Sequence, residues 1–202
     1  MSMTKGSLKM QNKIEKFTLH PLEDPRFIST ARVTYEQNGT AKSWEIVKAH
    51  DSVAILIYHT QKDAFILVQQ FRPAVYINNH DGLTVELCAG IVDKDLSLEQ
   101  IAKEEIEEEC GYDVPLGKIE KITSFYTSVG FAGSRQTLYY AEVDETMKVS
   151  EGGGVDAEQI EVIALPVKEA QAFIFDESIA KTPGLMFAFM WWEQKHIRVL
   201  DQ

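Results

Sequence analysis

Three scarcities bound what this 202-residue chain can be. It has only two cysteines, Cys88 in an apolar stretch and Cys110 at the end of a predicted helix. No Cys-x-x-Cys spacing occurs, so neither a zinc site nor a disulfide framework is expected, and a reducing, cytoplasmic setting fits. No apolar run approaches the roughly 20 residues of a membrane-spanning helix, and the segment from Met1 to Gln11 lacks the apolar core of a signal peptide. No membrane partner is expected. Positive charge is also short, with 20 Lys and Arg against 31 Asp and Glu, a net charge of -11. Such a balance repels a phosphate backbone and argues against nucleic acid as a partner. The five histidines show no i,i+4 pairing, and neither a Gly-x-Ser-x-Gly elbow nor a Walker loop is present.

What is there suits one globular domain. Hydrophobic residues make up 45% of the chain and charged residues 25%. Residues 1–28 are expected to form a partly disordered tail, and residues 29–202 a single domain. Residues 31–37 and 41–48 alternate around Asn38-Gly39, a β-hairpin pattern. Residues 52–58 and 64–70 are continuous apolar runs, as in strands buried on both faces. Further strands are expected at 84–89, 119–126, 136–143 and 158–165. Helices are expected at 167–175 and 185–196. The class is α/β, a mixed sheet between helices in an α/β/α sandwich, with an added N-terminal antiparallel hairpin.

The segment from Gly90 to Gly111 is richest in chemistry. Ser97 is placed to cap a helix with Leu98, Ile101, Ala102 and Ile106 on its apolar side, and Gly111 to stop it. Glu104, Glu105, Glu107, Glu108 and Glu109 crowd its last two turns. Glu105 and Glu109 share one face, as do Glu104 and Glu108, and like charges at that spacing destabilise a helix. A divalent cation with oxygen ligands, Mg²⁺ or Mn²⁺, would offset them. A plainly solvated acidic face is the alternative.

In its spacing this segment resembles the signature of the Nudix hydrolases, Gly-x5-Glu-x7-Arg-Glu-U-x-Glu-Glu-x-Gly-U, where U is apolar. Gly90, Glu105, Ile106, Glu108, Glu109 and Gly111 fit without a gap, and Tyr112 fits the final U loosely. Leu96 stands where the early Glu belongs, and Glu104 where the Arg belongs. The resemblance implies that Glu105 and Glu109 are the main Mg²⁺ ligands, assisted by Glu108 and the Ala89 carbonyl. Residues 69–75, 84–90, 127–130 and 152–158 extend it to the branch acting on ADP-ribose and nucleoside-diphosphate sugars, most like the UDP-sugar diphosphatases. The expected reaction is hydrolysis of a UDP-sugar to UMP and a sugar 1-phosphate. ADP-ribose hydrolysis is one alternative, and a binding protein that has lost catalysis, motivated by Leu96 and Glu104, is another. The same branch implies that the hairpin joins a homodimer, whereas a hairpin packed on its own domain is the plainer reading.

Four more residues are candidates for substrate contact. Arg72, just before Pro73, suits a bidentate phosphate contact or a surface ion pair. Glu86, an acid inside an apolar strand, suits a substrate or metal contact or a buried ion pair. Arg135, after Gly133-Ser134, suits a sugar or phosphate clamp. Phe71 suits stacking on a base, with Tyr76 and Phe131 as weaker companions, although such aromatics are often core. Gly152, Gly153 and Gly154 suggest a mobile loop. Of the acids that follow, the resemblance favours Glu158 over Asp156 as general base.

Overall fold

The computed structural model describes residues 13–155 and 158–200. Its centre is a mixed eight-stranded sheet. β3 (Ser52–His59), β4 (Ala64–Phe71) and β8 (Ser134–Val143) form the middle. β3 runs parallel to β8 and antiparallel to β4. β7 (Ile119–Thr127) closes one edge against β8, and β9 (Ile160–Pro166) pairs with β4. The short strand β10 (Ala180–Lys181) lies parallel to β5 (Leu83–Glu86).

The unbroken apolar runs are explained by burial on both faces. Val53, Ile55 and Ile57 of β3 pack with Val68, Tyr139, Ile101 and Ile106 beneath α2 (Leu98–Cys110). Ala54 and Leu56 point the other way, into a second core with Phe65, Leu67, Leu138, Phe173 and Phe189. That core is covered by α3 (Val167–Phe175) and α4 (Pro183–Leu200). The result is the expected α/β/α sandwich. α3 has the expected bounds, and α4 begins at Pro183, a residue whose fixed φ suits a first helical position.

Two departures bear on the site. The strand expected over residues 84–89 divides at Leu87, where the chain changes partner: β5 pairs with β4, and β6 (Cys88–Ile91) pairs with β3. Hydrophobicity continues across the division because both halves are buried, so the pattern hides it. Between β4 and β5 a short helix, α1 (Pro73–Asn79), is set off by Pro73 and ends at His80 in the left-handed region.

The hairpin is present, with β1 (Ile28–Gln37) antiparallel to β2 (Thr40–Ala49). It forms its own two-stranded sheet, separate from the main one. Only Val33, Ile46, Val47 and Ala49 are partly covered. Its links to the domain run through one loop, where the Trp44 indole N–H donates to the Gly130 carbonyl and the Val47 N–H to that of Phe131. The hairpin thus touches its own domain at its β2 side while most of both strands stays exposed. Residues 13–27 carry no helix or strand, although Phe17 rests on Tyr76 with ring centres 4.9 Å apart. The tail expected over residues 1–28 lies outside the described residues up to residue 12.

Candidate active site

α2 is built as its sequence predicts. Ser97 accepts the Gln100 N–H, and the Gln100 side chain returns a bond to the Ser97 N–H, a reciprocal capping box. Gly111 ends the helix at φ 78°, a conformation that favours glycine. A side chain there would also strike the Ser150 carbonyl.

The helix delivers its carboxylates into the angle between β6 and the glycine loop. Glu109 is buried, and its Oε2 accepts the Ala89 N–H at 2.9 Å. Glu105 lies against Gly90, where any side chain would collide with its carboxylate, which gives the first glycine of the motif a steric reason. Burial, then the charge of Glu108, pushes the Glu105 carboxyl up to about 7. Burial pushes Glu109 up to about 8, the Ala89 N–H opposing and the charge of Glu105 adding to the rise. Glu107 points to solvent, away from this group.

The glycine loop completes one wall. It is not free along its length: the Gly153 N–H donates to the Glu109 carbonyl at 2.9 Å and the Gly154 N–H to the Glu108 carbonyl at 3.1 Å. These bonds satisfy carbonyls that a helix end leaves open. They tie the glycines of the loop to the end of α2. Glu158 folds back so that its Oε2 accepts the Val155 N–H at 3.0 Å, and its charge reaches both Glu105 and Glu109. Asp156 lies outside the described residues.

Arg72 and Glu86 meet each other. Arg72 Nε and Nη2 bond the two oxygens of Glu86, each at 2.8 Å, and the Thr84 hydroxyl adds a third bond at 2.5 Å. Glu86 is therefore the buried ion-pair partner of Arg72, the second of the two readings its sequence position allowed. The pair lies within the field of the acidic group, because Glu109 and Glu158 both act on Arg72. Nη1 takes no part in the fork, and the Arg72 side chain is 45% exposed, so it can still meet an anion.

The remaining candidates lie apart. Phe71 packs on Tyr76 and against Gly82. Arg135 is exposed at the start of β8, and its backbone N–H donates to Asp51. It points to the same side of the strand as Thr137 and Tyr139, and Tyr139 bonds Glu99 in the first turn of α2. Phe131 is exposed at the hairpin junction. Three contributors escaped the sequence reading. Thr84 and the Ala89 N–H act through strand register, which carries no motif. Lys94 bonds Glu104 at 2.7 Å, so Glu104 has a cation that helix spacing alone does not reveal.

Among the described residues no three Asp, Glu, His or Cys side chains converge on a single point. A cation held by Glu105 and Glu109, with Glu108 drawn in, would complete its shell from water, a backbone carbonyl or substrate phosphate, which suits Mg²⁺. Two carboxylates on one helix face, whose charges repel each other, fit such an ion. None of the helices among the described residues is long and apolar enough to cross a membrane.

Comparison with known proteins agrees with this geometry. Residues 48–182 match the family described as NUDIX domain. The uridine diphosphate glucose pyrophosphatase NUDT14 of Bos taurus is 39% identical, over 78% of this chain and 84% of its own length. Its counterpart from Mus musculus is 40% identical with the same coverage. The GDP-mannose pyrophosphatase of Pectobacterium atrosepticum is 40% identical, over 70% of this chain and 72% of its own.

Proposed function

Because the chain belongs to the NUDIX family, we propose that it hydrolyses the diphosphate bridge of a nucleoside-diphosphate sugar, with UDP-glucose as substrate and Mg²⁺ as cofactor. The observation that carries this reading is the Glu105–Glu109 pair on one face of α2, half-buried and buried, raised to about 7 and about 8, with Arg72 within the field of Glu109. The choice of uracil and glucose rests on the two uridine diphosphate glucose pyrophosphatases, which share the greater coverage. The GDP-mannose pyrophosphatases support GDP-mannose as the second substrate to consider.

Glu105 and Glu109, with Glu108 and the Ala89 carbonyl beside them, would hold the cation. When bound, it would neutralise the diphosphate and make a coordinated water more acidic. Arg72, oriented by Glu86, offers its free nitrogen to a phosphate oxygen. Glu158 leaves its bond to Val155 and takes the proton of the attacking water. Water adds to one phosphorus as the bridging P–O bond breaks, giving UMP and glucose 1-phosphate. Arg135 remains a candidate for the sugar end, and Phe71 for the base.

The exposed hairpin supports a homodimer, in which a second copy covers β1 and β2. The two free thiols suit a cytoplasmic setting. Chromatography of the products tests the reading, with UDP-glucose, GDP-mannose and ADP-ribose each incubated with protein and Mg²⁺. UMP with glucose 1-phosphate should form fastest. Faster release of GMP or AMP would reassign the substrate, and no product from any of them would refute hydrolysis.

A further inference from the structure

The two departures from the Nudix motif are related in space. The motif places an acid in the loop before the helix and an arginine on the helix itself. Here the loop position is Leu96 and the helix position is Glu104, so both charges of the motif are lost. Yet the loop carries Lys94, and its Nζ bonds Glu104 Oε2 at 2.7 Å. We infer that Lys94 and Glu104 form a loop–helix lock, of opposite polarity to the charges that the motif places on loop and helix, which positions the loop and the metal-binding carboxylates.

The surroundings favour this over an incidental surface pair. The other lysine nearby, Lys103, is engaged with Asp113 beyond the helix end. Lys94 instead faces the acidic group, and the charges of Glu108 and Glu105 act on it as well as that of Glu104. The loop it anchors follows directly on β6, whose Gly90 abuts the Glu105 carboxylate and whose Ala89 N–H holds Glu109. The lock thus joins the end of the strand to the helix turn that carries both ligands. Lys94 and Glu104 touch no reacting atom and are positioning residues.

The inference rests on the metal-site reading above, and its test separates the two. Mn²⁺ binding to the metal-free protein, followed by electron paramagnetic resonance, reads the site without any substrate. Lys94→Glu sets two acids face to face, and Glu104→Arg sets two cations face to face. The double variant restores an ion pair in the polarity of the motif and keeps the total charge of the wild type. A half-exposed pair of this kind should change affinity by about fivefold. Both single variants should weaken Mn²⁺ binding by that factor, and the double variant should return to within about twofold of the wild type. Lys94→Glu is decisive, because added negative charge alone would tighten binding. Tighter binding in Lys94→Glu, or a double variant no better than the weaker single one, would overturn the lock. The neutral variants Lys94→Gln and Glu104→Gln repeat the comparison without repulsion and should each weaken binding less than the corresponding reversal. Should Mn²⁺ binding follow this pattern while no nucleotide sugar is hydrolysed, the lock stands and the proposed activity fails.

Discussion

Glu86 and Glu109 are buried to a similar degree, 8% and 5% exposed, yet their surroundings treat the negative charge in opposite ways. Around Glu86, burial favours the neutral acid, but the bonds and charge of Arg72 and the Thr84 hydroxyl outweigh it and hold the carboxyl below its ordinary value. Around Glu109, burial wins against the Ala89 N–H and the Cys88 thiol, and Glu105 and Glu158 add repulsion. One carboxylate is bonded to a cation of the chain, whereas among the described residues the other is bonded to none. The difference locates the charge deficit of the protein at the face of α2 and gives it a chemical purpose.

Substitution at Glu109 should break the comparison most severely. Glu109→Gln should keep the bond from Ala89 but lose a metal ligand, lowering kcat/KM for the nucleotide sugar by about a thousandfold. The same variant, freed of a desolvated charge, should melt higher than the wild type at pH 8 in the presence of a chelator. Unchanged turnover would remove Glu109 from the metal site. Glu158→Gln comes next, with a loss of about a hundredfold in kcat and little change in Mn²⁺ affinity, the expected split for a proton acceptor. A drop in affinity equal to the drop in kcat would make Glu158 a ligand instead.

The two regions should also titrate in opposite senses. Glu105 and Glu109 sit at about 7 and about 8 in the folded chain against 4.5 when unfolded. The metal-free fold thus binds more protons than the unfolded chain between these values, and stability falls as pH rises through that window. A fall in melting temperature on the order of 5–10 °C between pH 5 and pH 8.5 is expected, and saturating Mg²⁺ should abolish it. Glu86 is lowered, so its contribution is present above its unfolded value of 4.5 and is lost as pH falls below that. A metal-free protein whose stability rises steadily from pH 5 to pH 8.5 would contradict this assignment. The smallest effect concerns Glu86→Gln, which strips Arg72 of its partner. Because Arg72 is partly exposed, the loss should be about 1–2 kcal/mol in chemical denaturation, with a rise in KM larger than the fall in kcat.

Local features were legible in the sequence where a single segment carries both signal and structure. Ser97, Gln100 and Gly111 delimit α2, and Asn38-Gly39 turns the hairpin, because capping and turn chemistry act over a few residues. The two-sided burial of β3 follows from its unbroken apolar run. Relations between distant residues were not legible. Arg72 and Glu86 are 14 residues apart and meet because Gln70 and Thr84 stand opposite each other on adjacent strands, a register the hydrophobic pattern does not encode. The change of partner at Leu87 is hidden by equal burial on either side. Lys94 reaches Glu104 through a loop whose path no periodicity reports.

The most direct test of a charge deficit at Glu105 and Glu109 is calorimetric titration of the metal-free protein with Mg²⁺ at pH 7, repeated in two buffers of different ionisation enthalpy. With the two carboxyls at about 7 and about 8, binding should release more than one proton per chain, and Glu109→Gln should release fewer. Mg²⁺ binding without proton release, or no binding at all, would contradict the account.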